Sequence, residues 1–414
     1  PFQMADKRKD VPFSEPPYLK GFSSPYYTPA HHEFQKRMRQ FVDAEIRPYV
    51  SKWEEDYAAT GAEMPLDVFR KAHVQGLFSP WAPAELGGTP PAAGWDAFHD
   101  LIWNDELSRG LSAGLNAGFS ILTMASPPLI NYGSDYLKNL VLPDVLSAKK
   151  FMSLAISEPY AGSDVANIRA TAEKRDGHYI VNGQKKWITW AIHADFFTVA
   201  VRTGGPGMQG ISLLLIPRSL PGVTLRRMKL QGQWLGGTCH VHFEDVRVPE
   251  SHLIGQENHG FLYIMHNFNH ERFVITIGAL RGARTCLEEA IMWARKRKTF
   301  GKELIKHQVL RHKMANMAMQ IESTFALVET IAYQINEGID PQRLGSLVSL
   351  AKVQASRTYE FCAREASQIF GGSSYVREGA GQNVERHYRE VRGTAIPGGS
   401  EEIMLDLAMK LARL

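Results

Sequence analysis

The sequence predicts a mainly helical protein that is interrupted by one β domain. Apolar residues recur at helical spacing before about residue 150 and again after about residue 260, and they alternate with a period of two in between. The 414 residues also suffice for two or three domains of ordinary size. We therefore predict an N-terminal extension at 1–28, a helical domain at 29–150, a β domain at 151–250 and a helical bundle at 251–414.

The N-terminal helical domain opens with its clearest predicted helix, residues 32–52. Its apolar residues lie three or four positions apart and form one face of that helix: Phe34, Met38, Phe41, Val42, Ile46 and Val50. A glycine- and proline-rich loop at 87–91 separates this part from the rest of the domain. The remaining predicted helices of the domain are 65–74, 97–107, 113–124 and 136–146.

The β domain is recognised by a strong hairpin turn, Asn182-Gly183, between two alternating segments. His240 and His242 lie on one of its β patterns, and no third ligand accompanies them, so we predict no metal site. The predicted strands are 178–181, 186–189, 196–202, 211–217, 223–228 and 240–248.

Long helical segments return in the last third of the chain. Helices of this length need a partner for their apolar faces, and antiparallel packing in a bundle is the usual solution. The predicted helices are 260–295, 303–336, 341–370 and 400–413.

Composition narrows the function classes. The net charge of +4 is spread along the chain and is too weak a bias to predict a nucleic-acid partner. There is no run of about 20 apolar residues, so we predict no membrane span, and residues 1–10 lack the apolar segment of a secretory signal. The three scattered cysteines have no metal-ligand spacing and indicate buried thiols.

Two short segments suit a planar aromatic ligand. The segment SEPYAGSD at 157–164 follows an apolar strand, and its backbone N–H groups and hydroxyls can meet ring acceptors; a turn with a helix cap is the alternative. In Trp187-Ile188-Thr189, a period of two places Trp187 and Thr189 on one face of a strand. A tryptophan of the core is the alternative interpretation there.

Three later segments suit phosphate groups. RKTFG at 297–301 combines a cation, a hydroxyl and an aromatic ring at a break between helices. QIFGG at 368–372 ends a helix at two glycines, and PGGSEEI at 397–403 leads into a helix N-terminus. A polar turn, a glycine C-cap and an ordinary capped helix are the respective alternatives.

The ordered set of these five motifs resembles the acyl-CoA dehydrogenase superfamily, from about Phe34 to the end of the chain. The resemblance implies a fold with an N-terminal helical domain, a middle β-barrel and a C-terminal four-helix bundle. It also implies FAD as the cofactor and an acyl-CoA thioester as the substrate.

By resemblance, the FAD is held by residues of two subunits, which implies a homo-oligomer, a dimer or a dimer of dimers. The flavin ring is implied to contact Leu154, Ile156, Ser157, Ser163, Trp187 and Thr189. A neighbouring subunit is implied to meet the rest of the cofactor with Arg297, Thr299, Phe300, Gln308, Gln368, Gly371 and Gly372. Ser400 and Glu402 also reach the cofactor, and Ser163 and Arg272 are implied to bind the substrate.

The catalytic base is predicted to be Glu271. Many members of the superfamily carry a glutamate at the position of Gly398, which has no ionisable side chain. A branch that includes isovaleryl- and long-chain-type enzymes has its base on the first long bundle helix, directly before an arginine, as in Glu271-Arg272 here. Phe268 and Ile275 place Glu271 on an apolar helix face, where a carboxylate is unusual and therefore suggests a function.

The implied reaction is α,β-dehydrogenation of an acyl-CoA to the trans-2-enoyl thioester. Glu271 takes the α-proton, the β-hydride passes to the flavin, and the backbone N–H of Gly398 binds the thioester carbonyl. The electron acceptor is an electron-transfer flavoprotein or oxygen. Acyl length, branching and the choice between coenzyme A and a carrier protein are left open.

Two rival functions are weighed against this one. An oxygen-using flavin oxidase has the same fold, although the nitroalkane type is disfavoured because it needs an aspartate at the position of Gly398. A flavin-containing DNA-binding protein needs a basic face, and only the short runs 226–229 and 295–298 offer one.

The C-terminal residues Ala412, Arg413 and Leu414 resemble the Ser-Lys-Leu peroxisomal address. They therefore predict a peroxisomal location, with the cytoplasm or the mitochondrion as the alternatives.

Overall fold

The structure, a computed structural model, describes residues 10–413. The expectations for residues 1–9, and for Leu414 in the C-terminal tripeptide, concern residues outside that range. Among the described residues, no helix has both the length and the apolar character needed to cross a bilayer.

Between residue 10 and the β domain there are eight α-helices. The sequence predicts one continuous helix over 32–52, and this prediction is wrong. The chain turns at 47–49, because Pro48 has no N–H to donate to a helix. The predicted helix 113–124 is likewise divided at Ile121. The helices are α1 (Pro29–Phe41), α2 (Val50–Thr60), α3 (Asp67–Val74), α4 (Ala97–Ser108), α5 (Ala113–Ser120), α6 (Leu122–Ala125), α7 (Pro127–Tyr132) and α8 (Asp135–Leu146).

The middle domain is one eight-stranded sheet. The predicted hairpin turn at Asn182-Gly183 is wrong, because a single strand runs through it from His178 to Ile188, with only a register shift against its neighbour at that point. Its order is β6-β7-β3-β2-β4-β5-β8, and β1 pairs with β4 in parallel. The strands pack on a separate apolar cluster that includes Tyr179, Phe197 and Phe243. They are β1 (Met152–Ala155), β2 (Thr171–Arg175), β3 (His178–Ile188), β4 (Phe196–Arg202), β5 (Ile211–Pro217), β6 (Val223–Arg227), β7 (Cys239–Pro249) and β8 (Leu253–Ile254).

The C-terminal domain contains the longest helices. The helix over 382–395 was missed by the sequence prediction because it is short and rich in charge. A small hairpin, β9 (Lys298–Thr299) and β10 (Lys302–Glu303), lies between the first two helices. The helices are α9 (Gly260–Lys296), α10 (Gln308–Asn336), α11 (Pro341–Phe370), α12 (Gln382–Ala395) and α13 (Glu401–Leu411).

The main apolar core spans both helical domains. Phe69, Trp103 and Phe119 from the N-terminal domain belong to the same cluster as Phe273 and Leu287 of α9. The helix α9 therefore lies between the two helical layers, and a side chain on its inner face is removed from solvent. This helix supports the site described next.

Candidate active site

One cavity of about 220 Å³ lies between the N-terminal helices, α9, and the turn that follows α12. Its wall includes Glu271 and Ile275 of α9, Gly398 of the turn, and Thr189 beyond the end of β3. The structure thus brings the predicted base, the predicted carbonyl-binding position and one predicted flavin contact into a single space.

Glu271 is a buried carboxyl group, with 8% of its surface exposed. Burial raises its pKa from 4.5 to about 7, against the opposing effects of a hydrogen bond from Asn267, of His270 and of Arg272. Asn267, one helical turn earlier, donates to Glu271 Oε1 across 3.1 Å. A carboxyl group with this pKa can both hold and release a proton near neutral pH, as a general base must.

His270 lies beside Glu271 and is paired elsewhere. Its Nε2 lies 2.7 Å from Oδ2 of Asp100 on α4. Burial disfavours the charged imidazole, but the Asp100 carboxylate more than offsets this, so the pKa of His270 is raised. The pair joins α9 to α4 and fixes the part of the helix that carries the base.

Two cationic side chains donate hydrogen bonds to backbone carbonyls in and just before the turn at 398–399. Arg272 Nε donates to the carbonyl oxygen of Gly398 across 3.2 Å. The ammonium group of Lys352, fully buried on α11, donates to the carbonyls of Ala395 and, across 2.8 Å, Gly399. Burial lowers the pKa of Lys352 to about 8. With its carbonyls held, the turn presents fixed backbone N–H groups.

A side chain at position 398 would be strained and crowded. The φ of Gly398, +72°, is unfavourable for other residues, and a Cβ built there would lie 2.7 Å from Ile275 Cδ1. Ile275 comes one helical turn after Glu271 and fills the place where a side chain at 398 would point. The structure therefore offers one carboxyl group at this end of the cavity, and it belongs to α9.

The loop after β1 is anchored by its glutamate. Glu158 accepts hydrogen bonds from the backbone N–H groups of Arg169 and Ala170, and from the buried ammonium of Lys185 across 2.7 Å. Lys185 also donates to the Ile156 carbonyl across 2.9 Å. Burial lowers the pKa of Lys185 to about 8, with Glu158 opposing the shift. Ile156 is buried, Leu154 and Ser157 are half-buried and Ser163 is exposed.

The Trp187 and Thr189 prediction needs a correction in its geometry. The pairing of β3 with β7 is irregular between Lys185 and Ile188, and Trp187 has a φ of +67°. The strand ends at Ile188, so Thr189 lies beyond it and lines the cavity. The Trp187 ring is 53% exposed with Lys186 Nζ 4.6 Å from its centre, so it is no core residue.

The predicted phosphate-binding residues lie far from Glu271 on the same chain. Helix α9 separates Glu271 from the RKTFG motif by 25 residues, which is roughly 40 Å at 1.5 Å per residue. Stacking of Trp293 on Phe370, with ring centres 4.9 Å apart, brings that motif close to the QIFGG motif. The exposed members are Arg297, Phe300, Gln308, Gln368, Gly371 and Gly372, and Thr299 is half-buried.

Helix α13 begins as the sequence predicts. Ser400 is its N-cap, with the hydroxyl accepting from the Ile403 N–H across 3.5 Å. Glu402 is exposed in the first turn, and its own backbone N–H and the Ser400 hydroxyl lower its pKa. Neither residue lines the cavity.

Three residues of the site were not predicted from the sequence: Asn267, Lys352 and Lys185. Each is a common polar residue within a regular helix or strand. Lys185 and Lys352 act on partners that are distant in the chain, whereas Asn267 lies one helical turn before Glu271, a spacing that by itself does not single it out. A fourth residue, Glu158, lies inside the predicted SEPYAGSD segment, but its role in anchoring that loop was not predicted from the sequence.

Among residues 10–413, three side chains that could bind a metal converge at one place, His31, Asp96 and His99. The Thr28 N–H donates to Nδ1 of His31, so the ring proton is on Nε2, which donates to Asp96 across 3.0 Å. Asp96 also caps α4 by accepting from the His99 N–H. The hydrogen bonds of this cluster give it a structural role at the start of α4.

Three family models match the chain in order. They are the N-terminal, middle and C-terminal domains of acyl-CoA dehydrogenase, over residues 28–149, 153–246 and 258–412. The acyl-CoA dehydrogenase apdG of Emericella nidulans is 43% identical over 97% of this chain and 94% of its own length. The mitochondrial isobutyryl-CoA dehydrogenase of Bos taurus is 30% identical over 90% of this chain and 86% of its own.

Solved structures agree with the sequence comparisons. A probable acyl-CoA dehydrogenase from Mycobacterium abscessus matches with a TM-score of 0.87 and 37% identity, over 93% of this chain and 99% of that one. A glutaryl-CoA dehydrogenase from Mycobacterium smegmatis, in complex with FADH2, matches with a TM-score of 0.83 and 26% identity, over 94% and 96%. The fold class predicted from the sequence is confirmed, as are an oxidoreductase activity and FAD as the cofactor. The chain belongs to the acyl-CoA dehydrogenase family.

Proposed function

We propose that this protein oxidises an acyl-CoA thioester to the trans-2-enoyl thioester, with Glu271 as the base. The observation that carries the proposal is the position of Glu271, a buried carboxyl group that shares one cavity with the rigid turn at Gly398. The proposal places the base on α9, as in the isovaleryl- and long-chain-type branch.

The residues predicted to hold the flavin carry groups that suit its ring, and one of them, Thr189, lines the cavity. The anchored loop at 157–163 offers backbone N–H groups and the hydroxyls of Ser157 and Ser163, and Thr189 adds a hydroxyl from the cavity wall. The half-exposed Trp187 ring offers an aromatic surface beside them. When bound, FAD would accept the hydride that leaves the β-carbon, and the protein would hold the cofactor and the substrate in position.

The chain's own residues divide the remaining work. The N–H of Gly398 donates to the thioester oxygen and stabilises the negative charge that develops there. Arg272 and Lys352 hold that turn still, so its N–H does not reorient during the reaction. Glu271 accepts the α-proton, and Asn267 keeps its carboxyl group oriented.

The cofactor site is proposed to be shared between subunits of a homo-oligomer, a dimer or a dimer of dimers. Two observations support this. The RKTFG motif lies roughly 40 Å along α9 from Glu271 and cannot reach the flavin of its own subunit. Phe300, in that motif, is 96% exposed, and aromatic residues are enriched at interfaces between protein chains.

The electron acceptor is proposed to be an electron-transfer flavoprotein, with oxygen as the alternative. One structural neighbour, with a TM-score of 0.86 and 26% identity, comes from a study of the electron-transferring flavoprotein of Acidaminococcus fermentans. Peroxide formed at the rate of flavin reoxidation in air would favour the oxidase instead. A peroxisomal location is likewise a proposal and depends on the C-terminal tripeptide alone.

The DNA-binding alternative is disfavoured by the surroundings of its basic runs. Arg227 forms an ion pair with Glu63 and its guanidinium stacks on Tyr57, with 4.2 Å to the ring centre. The second run, 295–298, overlaps the RKTFG motif, to which the proposal gives another role.

The test is anaerobic titration of the oxidised holoenzyme with a panel of saturated acyl-CoAs, followed by flavin absorbance. We expect bleaching with the wild type and none with Glu271→Gln, which keeps the size of the side chain and an oxygen that can accept from Asn267. Glu289→Gln is the matched control, because Glu289 is a buried acid on the same helix outside the cavity. Full bleaching with Glu271→Gln would contradict the proposal.

A further inference from the structure

The wall of the cavity away from the turn carries three polar atoms that have no hydrogen-bond partner within the described structure. They are Oδ1 of Asn116, Nε2 of His387 and Oε1 of Glu390. His387 and Glu390 are 4% and 1% exposed, and all three residues line the same cavity as Glu271. Buried polar atoms are rarely left unpaired in folded proteins, so three in one wall indicate an absent partner.

The two α12 side chains of this wall are fixed in place by their other atoms. His387 Nδ1 lies 2.7 Å from the Tyr359 hydroxyl. Glu390 Oε2 accepts the N–H of Ala113, at the start of α5, across 3.1 Å. The residues are three positions apart on α12 and therefore lie on one face of it. Their unpaired atoms are thus fixed, and a ligand must meet them where they are.

The position of this wall matches the far end of an acyl chain. Along α9 the cavity extends from Glu271 to Gly282, which is roughly 16 Å at 1.5 Å per residue. Along α5 it extends from Ser120 to Ala113, roughly 10 Å. Asn116 and Glu390 lie towards the Ala113 end, so the wall is on the order of 10 Å from the base.

The protonation states of His387 and Glu390 indicate which chemical group of a ligand this wall can bind. Burial, aided by Arg386, Arg47 and Arg389, lowers the pKa of His387 to about 3, so this ring is neutral. Burial, with Glu54 nearby, raises the pKa of Glu390 to about 7.

The nearest cations are occupied elsewhere. Arg386 donates to the Leu111 carbonyl and to Ser51, and Arg389 donates to Glu54 and Glu385. Within the described structure no arginine or lysine lines the cavity, so a carboxylate at this wall would meet no cationic side chain. A neutral group that donates to one of the oxygens of Asn116 and Glu390 fits better.

We infer that the acyl group of the substrate carries a hydroxyl near its far end, which binds Asn116, His387 and Glu390. This inference rests on the proposed function and names the substrate class of the same cavity. A hydroxyl donates one hydrogen bond, to the oxygen of Asn116 or Glu390. It accepts one from His387 Nε2 in the tautomer in which the Tyr359 hydroxyl donates to Nδ1, so it satisfies two of the three atoms at once. A plain hydrocarbon chain would leave all three unpaired, and a site built for a hydroxyl discriminates strongly against such an analogue.

The test compares kcat/KM for saturated acyl-CoAs of six, eight and ten carbons with their ω-hydroxy and ω-carboxy counterparts. The wild-type holoenzyme is expected to prefer the ω-hydroxy member of at least one length by roughly ten- to a hundredfold. In Asn116→Leu, which is similar in size and apolar, that ratio should fall at least fivefold, while Glu289→Gln keeps it.

Each other outcome has a defined meaning. Equal or better rates with the plain chains at every length would overturn the inference and leave the proposed function standing, as would a preference for the ω-carboxy chains. Failure of every thioester to bleach the flavin would overturn both. The wild-type comparison needs no variant, so poor folding of Asn116→Leu does not affect it.

Discussion

Asn267 donates one hydrogen bond to Glu271 Oε1, across 3.1 Å, and another from the same nitrogen to the Thr123 carbonyl, across 3.2 Å. The amide is thereby fixed between α9 and α6, and the carboxyl group of Glu271 is fixed with it. Burial raises the pKa of Glu271, and this hydrogen bond is the largest opposing effect. The working range of the base therefore depends on a neighbour that takes no part in the reaction.

The rate should increase with pH through about 7. The base is competent only when ionised, and its pKa is raised to about 7, so kcat/KM should fall about tenfold per unit below that value. The measurement is kcat/KM from pH 5 to 9 with one saturated acyl-CoA. A flat profile down to pH 5 would mean that the base has the ordinary pKa of a glutamate.

Replacing Asn267 should move that profile. Asn267→Leu removes the hydrogen bond that favours the ionised form, so the midpoint should shift upward by roughly half to one pH unit. The rate above the midpoint should change less. A downward shift, or an unchanged midpoint, would contradict the role given to Asn267. Asn383→Leu is the control, because Asn383 donates to Glu289 outside the cavity.

Glu271 should lower the stability of the protein above neutral pH. Its pKa is about 7 in the fold and 4.5 as an ordinary glutamate, so its stabilising effect is complete below pH 4.5 and is lost as pH rises through 7. At about 1.4 kcal/mol per unit, Glu271→Gln should gain roughly 3 kcal/mol relative to wild type at pH 8. At pH 4.5 the two should unfold alike in urea. An equal difference at both pH values would contradict this.

Lys352 should affect substrate binding although it does not line the cavity. Lys352→Met leaves the carbonyls of Ala395 and Gly399 unpaired, which costs roughly 1–3 kcal/mol of stability and loosens the turn. Because the Gly398 N–H is proposed to bind the thioester, KM should rise and kcat should fall. Lys410→Met, at an exposed ion pair of α13, should change neither. Unaltered kinetics with a lowered Tm would restrict Lys352 to a structural role.

Phe300 should contribute to subunit assembly. Phe300→Ser replaces a ring that is 96% exposed, and we expect weaker association in sedimentation velocity together with faster loss of FAD on dilution. Val74→Ser, at an apolar residue of the N-terminal domain that is 84% exposed, should behave as the wild type. Equal sedimentation of the two variants would show that this surface is not shared.

The three-part fold could be predicted from the sequence because each part has its own apolar period. The long helices were predicted well: the segment 341–370 coincides with Pro341–Phe370. The helix at Gln382–Ala395 was missed because charged residues cover much of it. Its buried groups, among them Arg386, His387 and Glu390, pair or face inward only in the folded structure. No periodicity in the sequence reports that arrangement.

Residues of the site could be predicted only where they belong to short sequence motifs. Glu271 precedes Arg272 and lies on an apolar helix face, and the structure places it in the cavity. Its role as the base stays a prediction until it is tested. Lys352 is separated in sequence from the turn that it holds, and Asn267, four residues before Glu271, resembles an ordinary helix residue. The contacts of Lys352, and that of Asn267 with Thr123, depend on three-dimensional proximity, which a single sequence does not encode locally.

The contact between Ile275 and the space above Gly398 has an evolutionary consequence. A glutamate gained at 398 would have to take a left-handed backbone conformation and push the end of the Ile275 side chain aside. With Glu271 as the proposed base, a change at 271 alone would remove it. An exchange of one arrangement for the other is therefore easier once a smaller residue has appeared at 275, so a packing residue biases which mutational paths are open.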